Sequence, residues 1–241
     1  MTFPPTFTAR IAGARMLSPN VRELVLEREG PLAFEAGQWV SLALPLADEP
    51  TKRSYSIASA PDGTGRFEIA VTRIEGGPGS MYLHSAPIGT ELRVTGPQGF
   101  FTRPRDERAP ALLVGTGTGV TPLRSMLRDA VGEADARTVW LLFGVRTEAD
   151  ILYREELDAL AARHPNVRVF YTLSRPHDAW AGLTGYVQTH VPKLWDELAA
   201  LGQGAPHAYV CGLHRMVGAV RDLLRKDMGV ARTQLHSERY D

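Results

Sequence analysis

Ala111-Leu-Leu-Val-Gly-Thr-Gly-Thr-Gly-Val-Thr-Pro122 is the stretch that decides the fold of the second half of this chain. Its first four residues form an unbroken apolar run, which is typical of a strand covered on both faces. The glycines that follow permit a tight turn and let backbone N–H groups approach a phosphate closely. Pro122 suits the first turn of a helix, because proline has no N–H to leave unpaired. The stretch therefore predicts a strand, a phosphate-binding turn and a helix.

The glycine spacing of this turn is Gly-x-Gly-x-Gly. It differs from the Gly-x-Gly-x-x-Gly of Rossmann domains, and it lacks the Gly-Lys-Ser/Thr of a P-loop. On this turn alone, a glycine-rich connection that binds no ligand is the alternative. Its place after a buried strand favours a phosphate site, because the following helix N-terminus carries partial positive charge.

Downstream of this stretch, apolar strands alternate with helical patterns. Strands are predicted at 138–143, 167–173 and 208–210, and helices at 122–131, 148–163 and 214–226. Strands that alternate with helices predict a parallel sheet with helices on both faces.

Upstream, the pattern is short, alternating and rich in strands. Strands are predicted at 21–27, 38–46, 66–73 and 91–95, and the one short helical candidate is 80–85. This spacing predicts an antiparallel Greek-key β-barrel. Two prolines and five charged residues in 102–110 predict an exposed connection. We therefore expect two domains, 1–104 and 105–241.

Composition excludes several classes of function. Lys+Arg and Asp+Glu both count 27, so the chain has no basic excess with which to bind nucleic acid. Cys211 is the one cysteine, which excludes an intramolecular disulfide and a Cys-ligated iron–sulfur cluster within the chain. We expect no metal site. No apolar run approaches the ~20 residues that span a bilayer, and we expect a cytoplasmic protein.

The segment Arg53-Ser-Tyr-Ser56 at the end of a predicted barrel strand has the chemistry of a cofactor site. Arg53 can pair with a phosphate through two hydrogen bonds. Tyr55 offers a flat apolar face for a ring, and Ser56 offers a hydroxyl for a ring nitrogen. Taken alone, an ordinary exposed strand is the alternative interpretation.

Six segments together resemble the ferredoxin–NADP reductase superfamily, in the order that this family has them. These segments are 53–56, 69–73 with 76–83, 96–101, 115–122, Cys211-Gly212 and Glu238-Arg-Tyr240. The resemblance implies a flavoprotein reductase that transfers hydride between NAD(P)H and bound FAD, with FMN the less favoured flavin. It leaves NADPH or NADH open, with a slight preference for NADPH because Ser174-Arg175 resembles a pocket for a 2′-phosphate.

The resemblance also implies roles for individual residues. Arg53 would bind the flavin phosphates, Tyr55 would lie against the isoalloxazine, and Ser56, Cys211 and Glu238 would be catalytic. The implied cofactor-binding residues are Arg53, Ser54, Tyr55, Ser56, Ala70, Val71, Gly79, Ser80, Met81, Thr116, Gly117, Thr118, Gly119, Thr121, Pro122, Ser174, Arg175, Cys211, Gly212, Met216 and Tyr240.

More specifically, Ser80 and the amides around Gly79 and Met81 would hold the FAD pyrophosphate. Thr121 and Cys211 would border the nicotinamide. The chain departs from the family pattern where Leu213-His-Arg-Met216 replaces the usual prolines, and where Asp241 follows the terminal aromatic residue.

Several partners fit such a reductase. The acceptor would be ferredoxin, flavodoxin, an oxygenase component or free flavin. A different class of function is an FAD-binding electron-transfer or regulatory subunit that acts only within a larger complex. A third is a nucleotide-binding module that has lost its flavin, against which the intact 53–56 segment argues.

Overall fold

The computed structural model describes residues 4–46, 51–132 and 137–240, which build one sheet in each half of the chain. The elements of the first half are β1 (Thr6–Ser18), β2 (Val21–Glu27), β3 (Trp39–Leu44), β4 (Thr51–Ser56), β5 (Arg66–Thr72), α1 (Pro78–Ser85) and β6 (Glu91–Gln98).

The first sheet is antiparallel throughout, with the strand order β4-β3-β6-β1-β2-β5. In β5, Phe67, Ile69 and Val71 are buried at alternate positions, because successive side chains of a strand point to opposite faces. Beyond β4, the N–H of Ala58 donates to the carbonyl of Glu68 in β5 at 2.7 Å. This bond brings the two ends of the sheet together, as the predicted barrel requires.

The second half is an α/β domain. Its elements are β7 (Ala111–Thr116), α2 (Val120–Gly132), β8 (Val139–Val145), α3 (Arg154–Arg163), β9 (Val167–Leu173), β10 (Leu183–Thr184), α4 (Val191–Ala199), β11 (His207–Leu213), α5 (His214–Asp222) and β12 (Leu235–Tyr240). Its strands are parallel in the order β10-β9-β8-β7-β11-β12. The prediction of an antiparallel β-domain followed by a parallel α/β domain is confirmed.

Two predicted helices differ in the structure. The helix predicted at 148–163 is interrupted, because Tyr153 has a φ of 59° and α3 begins only at Arg154. The helix predicted at 214–226 is α-helical to Asp222 and continues as a wider π-type turn, Leu223–Asp227. Strands β1, β10 and β12 and helix α4 are not among the predicted elements.

The connection between the two sheets is less exposed than predicted. Arg103 is only 5% exposed, and its guanidinium donates to the carbonyl of Ala109 at 2.8 Å. Burial, with Arg137 nearby, lowers the pKa of Arg103 to about 10. Arg105 pairs with Asp129 of α2 at 2.8 Å. The segment is therefore tied to α2 by this ion pair, and the boundary between residues 104 and 105 stays a prediction.

One buried apolar cluster runs continuously from the first half into the second. Its members include Val21, Ala36, Ala58, Ala70, Phe101, Val120, Leu123, Met126, Leu127, Tyr209 and Cys211. The cluster thus includes Ala58, just beyond the end of β4, together with Leu123 of α2 and Cys211 of β11. Of the helices in the described part of the chain, none has the length and apolar character to cross a membrane.

Candidate active site between the two sheets

The glycine-rich turn lies against β11, at the place where the strand order of the parallel sheet reverses. Ligands bind at this reversal in open α/β sheets. Gly117 has a φ of +55°, a conformation that favours glycine. A Cβ atom at Gly119 would overlap the backbone carbonyl of Cys211. Glycine at 119 therefore lets the turn pack directly on the end of β11.

Residues of three neighbouring strands stand side by side at this edge. Cys211 of β11 is in register with Gly115 of β7 on one side and with Glu238 of β12 on the other. Gly212 has a φ of +144°, and a Cβ atom there would overlap Thr116 Oγ1 and lie 2.9 Å from Met216 Cε. The backbone at Cys211-Gly212 is thus closely enclosed.

The hydroxyl of Thr116 bears on whether a nucleotide fits this turn. Thr116 Oγ1 is buried and has no hydrogen-bond partner among the described residues, although buried hydroxyls are normally paired. It lies at the end of β7, immediately before the turn that opens α2. An unpaired hydroxyl beside a helix N-terminus fits the pyrophosphate of a nicotinamide nucleotide.

The end of β4 is a second group of predicted site residues. Arg53 and Ser54 are exposed, Tyr55 is half-buried and Ser56 is 6% exposed. Burial raises the pKa of Tyr55 to about 12. A Cβ atom at Gly79 would lie 3.2 Å from Arg53 Cγ. The side chain of Arg53 therefore runs beside the first turn of α1, where a cation and free N–H groups together suit a phosphate.

The hydrogen bonds in the first turn of α1 reduce the number of groups at 79–81 that could bind the FAD pyrophosphate. The hydroxyl of Ser80 accepts from the N–H of Ile74 at 3.0 Å and lies 3.0 Å from the carbonyl oxygen of Gly77. The N–H of Met81 also donates to the Gly77 carbonyl, at 3.0 Å. Neither the Ser80 hydroxyl nor the Met81 N–H is free for a pyrophosphate. The N–H groups of Gly79 and Ser80 are the ones that fit this role.

Ala70 and Val71 are buried in β5, so they would meet a cofactor only through backbone atoms. The carbonyl of Val71 is 2.8 Å from His84 Nε2 of α1. The next residue, Thr72, donates from its hydroxyl to that of Thr118 in the glycine-rich turn at 3.4 Å. Thr72 was not predicted as a site residue, although it lies inside the quoted segment 69–73.

Four hydroxyl and carboxyl groups meet where the two sheets face each other. The hydroxyl of Tyr240 donates to Ser56 Oγ at 2.5 Å, and Ser56 Oγ donates to Glu238 Oε1 at 3.2 Å. Thr121 Oγ1 is 3.5 Å from the Tyr240 hydroxyl and donates to the carbonyl of Thr118 at 2.8 Å. The structure thus brings Ser56 and Glu238, which are 182 residues apart in sequence, into one cluster.

Burial controls the protonation of this cluster. Burial raises the pKa of the Glu238 carboxyl, while the hydrogen bond from Ser56 opposes the shift. Burial, and then the charge of Glu238, raise the pKa of the Cys211 thiol well above its ordinary value. The thiol is therefore neutral at physiological pH and does not act as a nucleophile, since the thiolate is the reactive form.

Ser174 and Arg175 lie apart from this cluster, beyond the ends of β8 and β9. The N–H of Arg175 donates to the carbonyl of Arg146 at 2.8 Å, which places two exposed arginines side by side. The nearby Glu148 is 2.7 Å from His177 and 3.2 Å from Arg154, and these contacts lower its pKa. Arg146 was not predicted, although it follows β8 directly.

The predicted residues therefore fall into five groups. Ser56, Thr121, Cys211, Glu238 and Tyr240 meet between the sheets. Arg53 lies beside the first turn of α1, the turn 116–119 lies against Gly212 and Met216 at the end of β11, Ala70 and Val71 are in β5, and Ser174-Arg175 lies at the outer end of the parallel sheet. Within 4–46, 51–132 and 137–240, no three His, Cys, Asp or Glu side chains are grouped so as to hold a metal ion.

Comparison with known families assigns a class to each half. The family described as oxidoreductase FAD-binding domain matches residues 8–102. The family described as oxidoreductase NAD-binding domain matches residues 113–222.

Three relatives cover nearly all of this chain. Ferredoxin–NADP reductase B of Sorangium cellulosum is 56% identical over 98% of both chains. Phenol hydroxylase P5 protein of Acinetobacter pittii is 30% identical over 97% of this chain and 65% of its own length. The crystal structure of the Amycolatopsis cytochrome P450 reductase GcoB covers 99% of this chain and 71% of its own, at 29% identity and a TM-score of 0.85. With the site between an FAD-binding and an NAD-binding domain, these matches show that the chain belongs to the ferredoxin–NADP reductase family of FAD-containing, NAD(P)H-dependent oxidoreductases.

Proposed function

We propose that this enzyme oxidises NADPH and passes the electrons through FAD to a ferredoxin-type protein. The observation that carries the proposal is the cluster in which Ser56 of the flavin domain contacts Glu238 and Tyr240 of the nucleotide domain. A hydride donor held by one domain and an acceptor held by the other must meet at such a junction. The Sorangium cellulosum relative, which is 56% identical in sequence and is named a ferredoxin–NADP reductase, supports a ferredoxin acceptor.

The residues that would hold FAD are those at the end of β4 and the start of α1. Arg53 and the N–H groups of Gly79 and Ser80 would bind its phosphates, and Tyr55 would support its ring. Bound FAD supplies the chemistry, because a flavin accepts two electrons with a proton and releases electrons singly. The chain contributes placement and electrostatics.

The residues that would hold the nicotinamide nucleotide belong to the other domain. The turn 116–121 would bind its pyrophosphate, using the unpaired Thr116 hydroxyl and the N-terminus of α2. Cys211 would act through its shape, because its thiol stays neutral and buried. Close placement of reacting atoms, at ~3–3.5 Å, is the main contribution that such a pocket makes to the rate.

Glu238 and Ser56 would hold a proton next to the reacting rings. Ser56 Oγ donates to Glu238 and accepts from Tyr240, so its hydroxyl is oriented on both sides. The raised pKa of Glu238 keeps its carboxyl protonated to a higher pH than an ordinary glutamate. This pair can therefore give up or take a proton beside the reacting rings, and the carboxylate that remains keeps the hydrogen bond from Ser56.

Two exposed arginines support NADPH over NADH in this proposal. Arg146 and Arg175 are adjacent through the bond between the Arg175 N–H and the Arg146 carbonyl. Guanidinium groups suit a dianionic 2′-phosphate. Of the acidic residues in this region, Glu148 is paired with His177 and Arg154, which offsets part of its charge. Asp150 accepts from the N–H and the hydroxyl of Thr147.

Other acceptors fit the same chemistry. The match to phenol hydroxylase P5 protein, whose name places it in a hydroxylase system, favours an oxygenase component as the second candidate. Flavodoxin and free flavin are further candidates for the assay. The proposal places the enzyme in the cytoplasm, where nicotinamide nucleotides are regenerated. Its recovery in a different fraction of lysed cells would contradict that part.

The test begins with the absorption spectrum of the purified protein under anaerobic conditions. We expect a yellow protein that NADPH bleaches faster than NADH does, and that then reduces added ferredoxin. A colourless protein that binds no added FAD would refute the proposal. A protein that reduces free flavin or an oxygenase component, but no ferredoxin, would replace the acceptor and keep the reductase.

The nucleotide preference has its own variant. Arg175→Ala removes one phosphate contact, and we expect kcat/KM for NADPH to fall about 10- to 100-fold, the effect of losing a hydrogen bond to a charged group. The value for NADH should stay within about two-fold. Arg163→Ala, at the exposed end of α3, is the matched control. Equal losses for both nucleotides would contradict a 2′-phosphate contact.

A further inference from the structure

Arg124 is a fully buried arginine that joins the two domains. It lies in α2 of the nucleotide domain and is 1% exposed. Its Nη1 donates to the carbonyl of Ala58 at 2.9 Å and to Glu68 Oε2 at 2.6 Å, both in the flavin domain. Its Nε and Nη2 donate to the two carboxylate oxygens of Glu156 in α3, at 3.0 Å and 2.6 Å. One side chain thus connects three segments.

Arg124 contacts segments that also carry residues of the candidate site. Thr121 and Arg124 are three residues apart in α2, so they lie on the same face of the helix. Ala58, which accepts from Arg124, follows Ser56 by two residues. Arg124 therefore links the segment that carries Ser56 to the helix that carries Thr121. Both of these residues contact Tyr240.

A second bond runs beside the first. The hydroxyl of Ser125 donates to the carbonyl of Ser59 at 2.6 Å. Consecutive residues of α2 therefore hold consecutive carbonyls, those of Ala58 and Ser59, just beyond the end of β4. Two parallel bonds restrain both the distance and the rotation between the segment and the helix.

The surroundings of Arg124 hold its guanidinium in one orientation. The ring of Tyr153 covers it, with Arg124 Cζ 4.1 Å from the ring centroid. Tyr153 reaches this position with a φ of 59°, an unfavourable backbone conformation for a bulky residue. Burial acts to lower the pKa of Arg124, but the hydrogen bond to Glu156 and the carboxylate charges of Glu68 and Glu156 outweigh it and raise the pKa. The guanidinium is always charged.

A buried, paired charge is a poor way to gain stability, since apolar side chains of similar volume often stabilise a protein as well or better. The surrounding interface is already apolar, through residues such as Ala58, Ala70 and Leu123. Directional bonds do what apolar contacts do not, because they specify distance and angle. The network is thus suited to fixing geometry across the interface.

We propose that Arg124 is a positioning residue for hydride transfer, which sets the separation between the Ser56 end of β4 and the start of α2. It touches neither reacting atom, and it acts through the Ala58 carbonyl and through Thr121. This inference rests on the proposed function, because the residues that it positions are those assigned to the flavin and the nicotinamide. Glu68 is its anchor in the flavin domain.

The test compares Arg124→Lys with Arg128→Lys. Lysine keeps the charge but loses the planar set of donors that reaches Ala58, Glu68 and Glu156 together. Arg128 is the matched control, because it lies one turn further along α2 and 3.8 Å from the same two carboxylates. The side chain of Arg128 is 38% exposed, and its lysine replacement keeps a positive charge beside both carboxylates.

The first readout is the single-turnover rate at which saturating NADPH bleaches the flavin. For Arg124→Lys we expect this rate to fall on the order of 10- to 100-fold, the effect of a misplacement of about 1 Å. FAD content and the Kd for NADPH should change by less than about two-fold, since the binding residues are untouched. Arg128→Lys should resemble the wild type. A purely structural role would lower Tm and leave the limiting rate unchanged.

The second readout does not depend on activity. Hydrogen exchange, followed by mass spectrometry on the protein without added nucleotide, should quicken at 57–59 and 120–125 in Arg124→Lys. Exchange in α4 should not change, because the buried residues of that helix belong to a separate apolar cluster. Arg128→Lys should leave both regions as they are in the wild type.

Both readouts must change for the proposal to stand. Unchanged exchange at 57–59 or an unchanged limiting rate would each overturn it. Should Arg124→Lys fail to fold, Ser125→Ala removes the neighbouring bond and is expected to quicken exchange in the same two segments and to slow bleaching. If NADPH does not bleach the wild-type flavin, the proposed function fails. The exchange experiment then decides separately whether Arg124 holds the two segments together.

Discussion

The hydroxyl of Tyr240 lies 2.5 Å from Ser56 Oγ, so the last strand of the parallel sheet is bonded to the end of β4 in the other domain. The same hydroxyl is 3.5 Å from Thr121 Oγ1. Burial raises its pKa well above the ordinary value, and Cys211 and Glu238 add to the shift. Tyr240 therefore occupies the space that Ser56, Thr121 and Cys211 enclose.

Removal of the Tyr240 side chain should open this space. A side chain that occupies a pocket lowers the apparent affinity for a ligand, because only the molecules in which the pocket is open can bind it. We therefore expect Tyr240→Ala to tighten NADP⁺ binding on the order of ten-fold. Titration of the flavin spectrum with NADP⁺ measures the change. Tyr186→Ala removes a tyrosine that is 67% exposed and is the control. Weaker binding in Tyr240→Ala would show that the ring supports the nucleotide instead.

Replacement of Glu238 should alter the pH dependence of flavin reduction. Its pKa is raised by burial, so the carboxyl loses its proton at a pH above that of an ordinary glutamate. The wild-type rate should therefore change as pH rises through this elevated value. Glu238→Gln still accepts a hydrogen bond from Ser56 but does not titrate. We expect the pH profile of its single-turnover rate to lack one limb, the change in rate near the raised pKa of Glu238. An unchanged limb would assign the titration to another group.

Gly119 should tolerate no side chain, because a Cβ atom there overlaps the carbonyl of Cys211. Both atoms belong to backbone, so relief requires the glycine-rich turn to move away from β11. We expect Gly119→Ala to weaken NADPH binding by at least about ten-fold, as a shift of the phosphate-binding amides implies. Gly218→Ala is the control, since a Cβ atom in α5 meets open space. It should raise stability by about 0.5–1 kcal/mol. Equal NADPH affinity in the two variants would contradict the prediction.

His236 should make the fold sensitive to acid at the end of the sheet away from the site. Its ring stacks on Tyr209 and lies near His207, which faces it at 3.2 Å between ring nitrogens. Burial and His207 lower the pKa of His236, and Glu107 opposes them. The folded state thus binds a proton less readily than the unfolded state. The stability is present above the ordinary value of 6.5 and is lost as pH falls through the lower, folded value.

His236→Phe keeps a ring on Tyr209 but removes the titrating group. We expect the free energy of unfolding to fall less between pH 7.5 and pH 5 in this variant than in the wild type, by urea titration. The partner replacement, His207→Gln, separates the contribution of the second imidazole. If the free energy of unfolding falls equally in the wild type and in His236→Phe over this pH range, other groups cause the acid sensitivity.

Pattern alone predicts much of this fold. The strands at 21–27 and 167–173 are predicted with the bounds that the structure has, because their apolar residues follow the period of a sheet. β1 is a different case. A register shift between Ile11 and Gly13 interrupts its pairing with β2, and such a bulge breaks the alternation on which a strand prediction depends.

Other elements depend on contacts that no local pattern contains. β12 has six residues, none of them fully buried, and it pairs with β11 at the edge of the sheet. Helix α3 begins late because Tyr153 leaves the helical conformation to place its ring over Arg124. Neither feature is visible in the periodicity of its own segment.

The sequence by itself determined the two domains, the glycine-rich turn and the residue types of the site, because local geometry and hydrophobic period act over a few neighbouring residues. Tertiary structure alone decided that Tyr240 contacts Ser56, that the Ser80 hydroxyl and the Met81 N–H are already occupied, and that Arg124 joins the domains. Such contacts join residues up to 184 positions apart. They depend on how the two sheets pack together, which no single segment of the chain specifies.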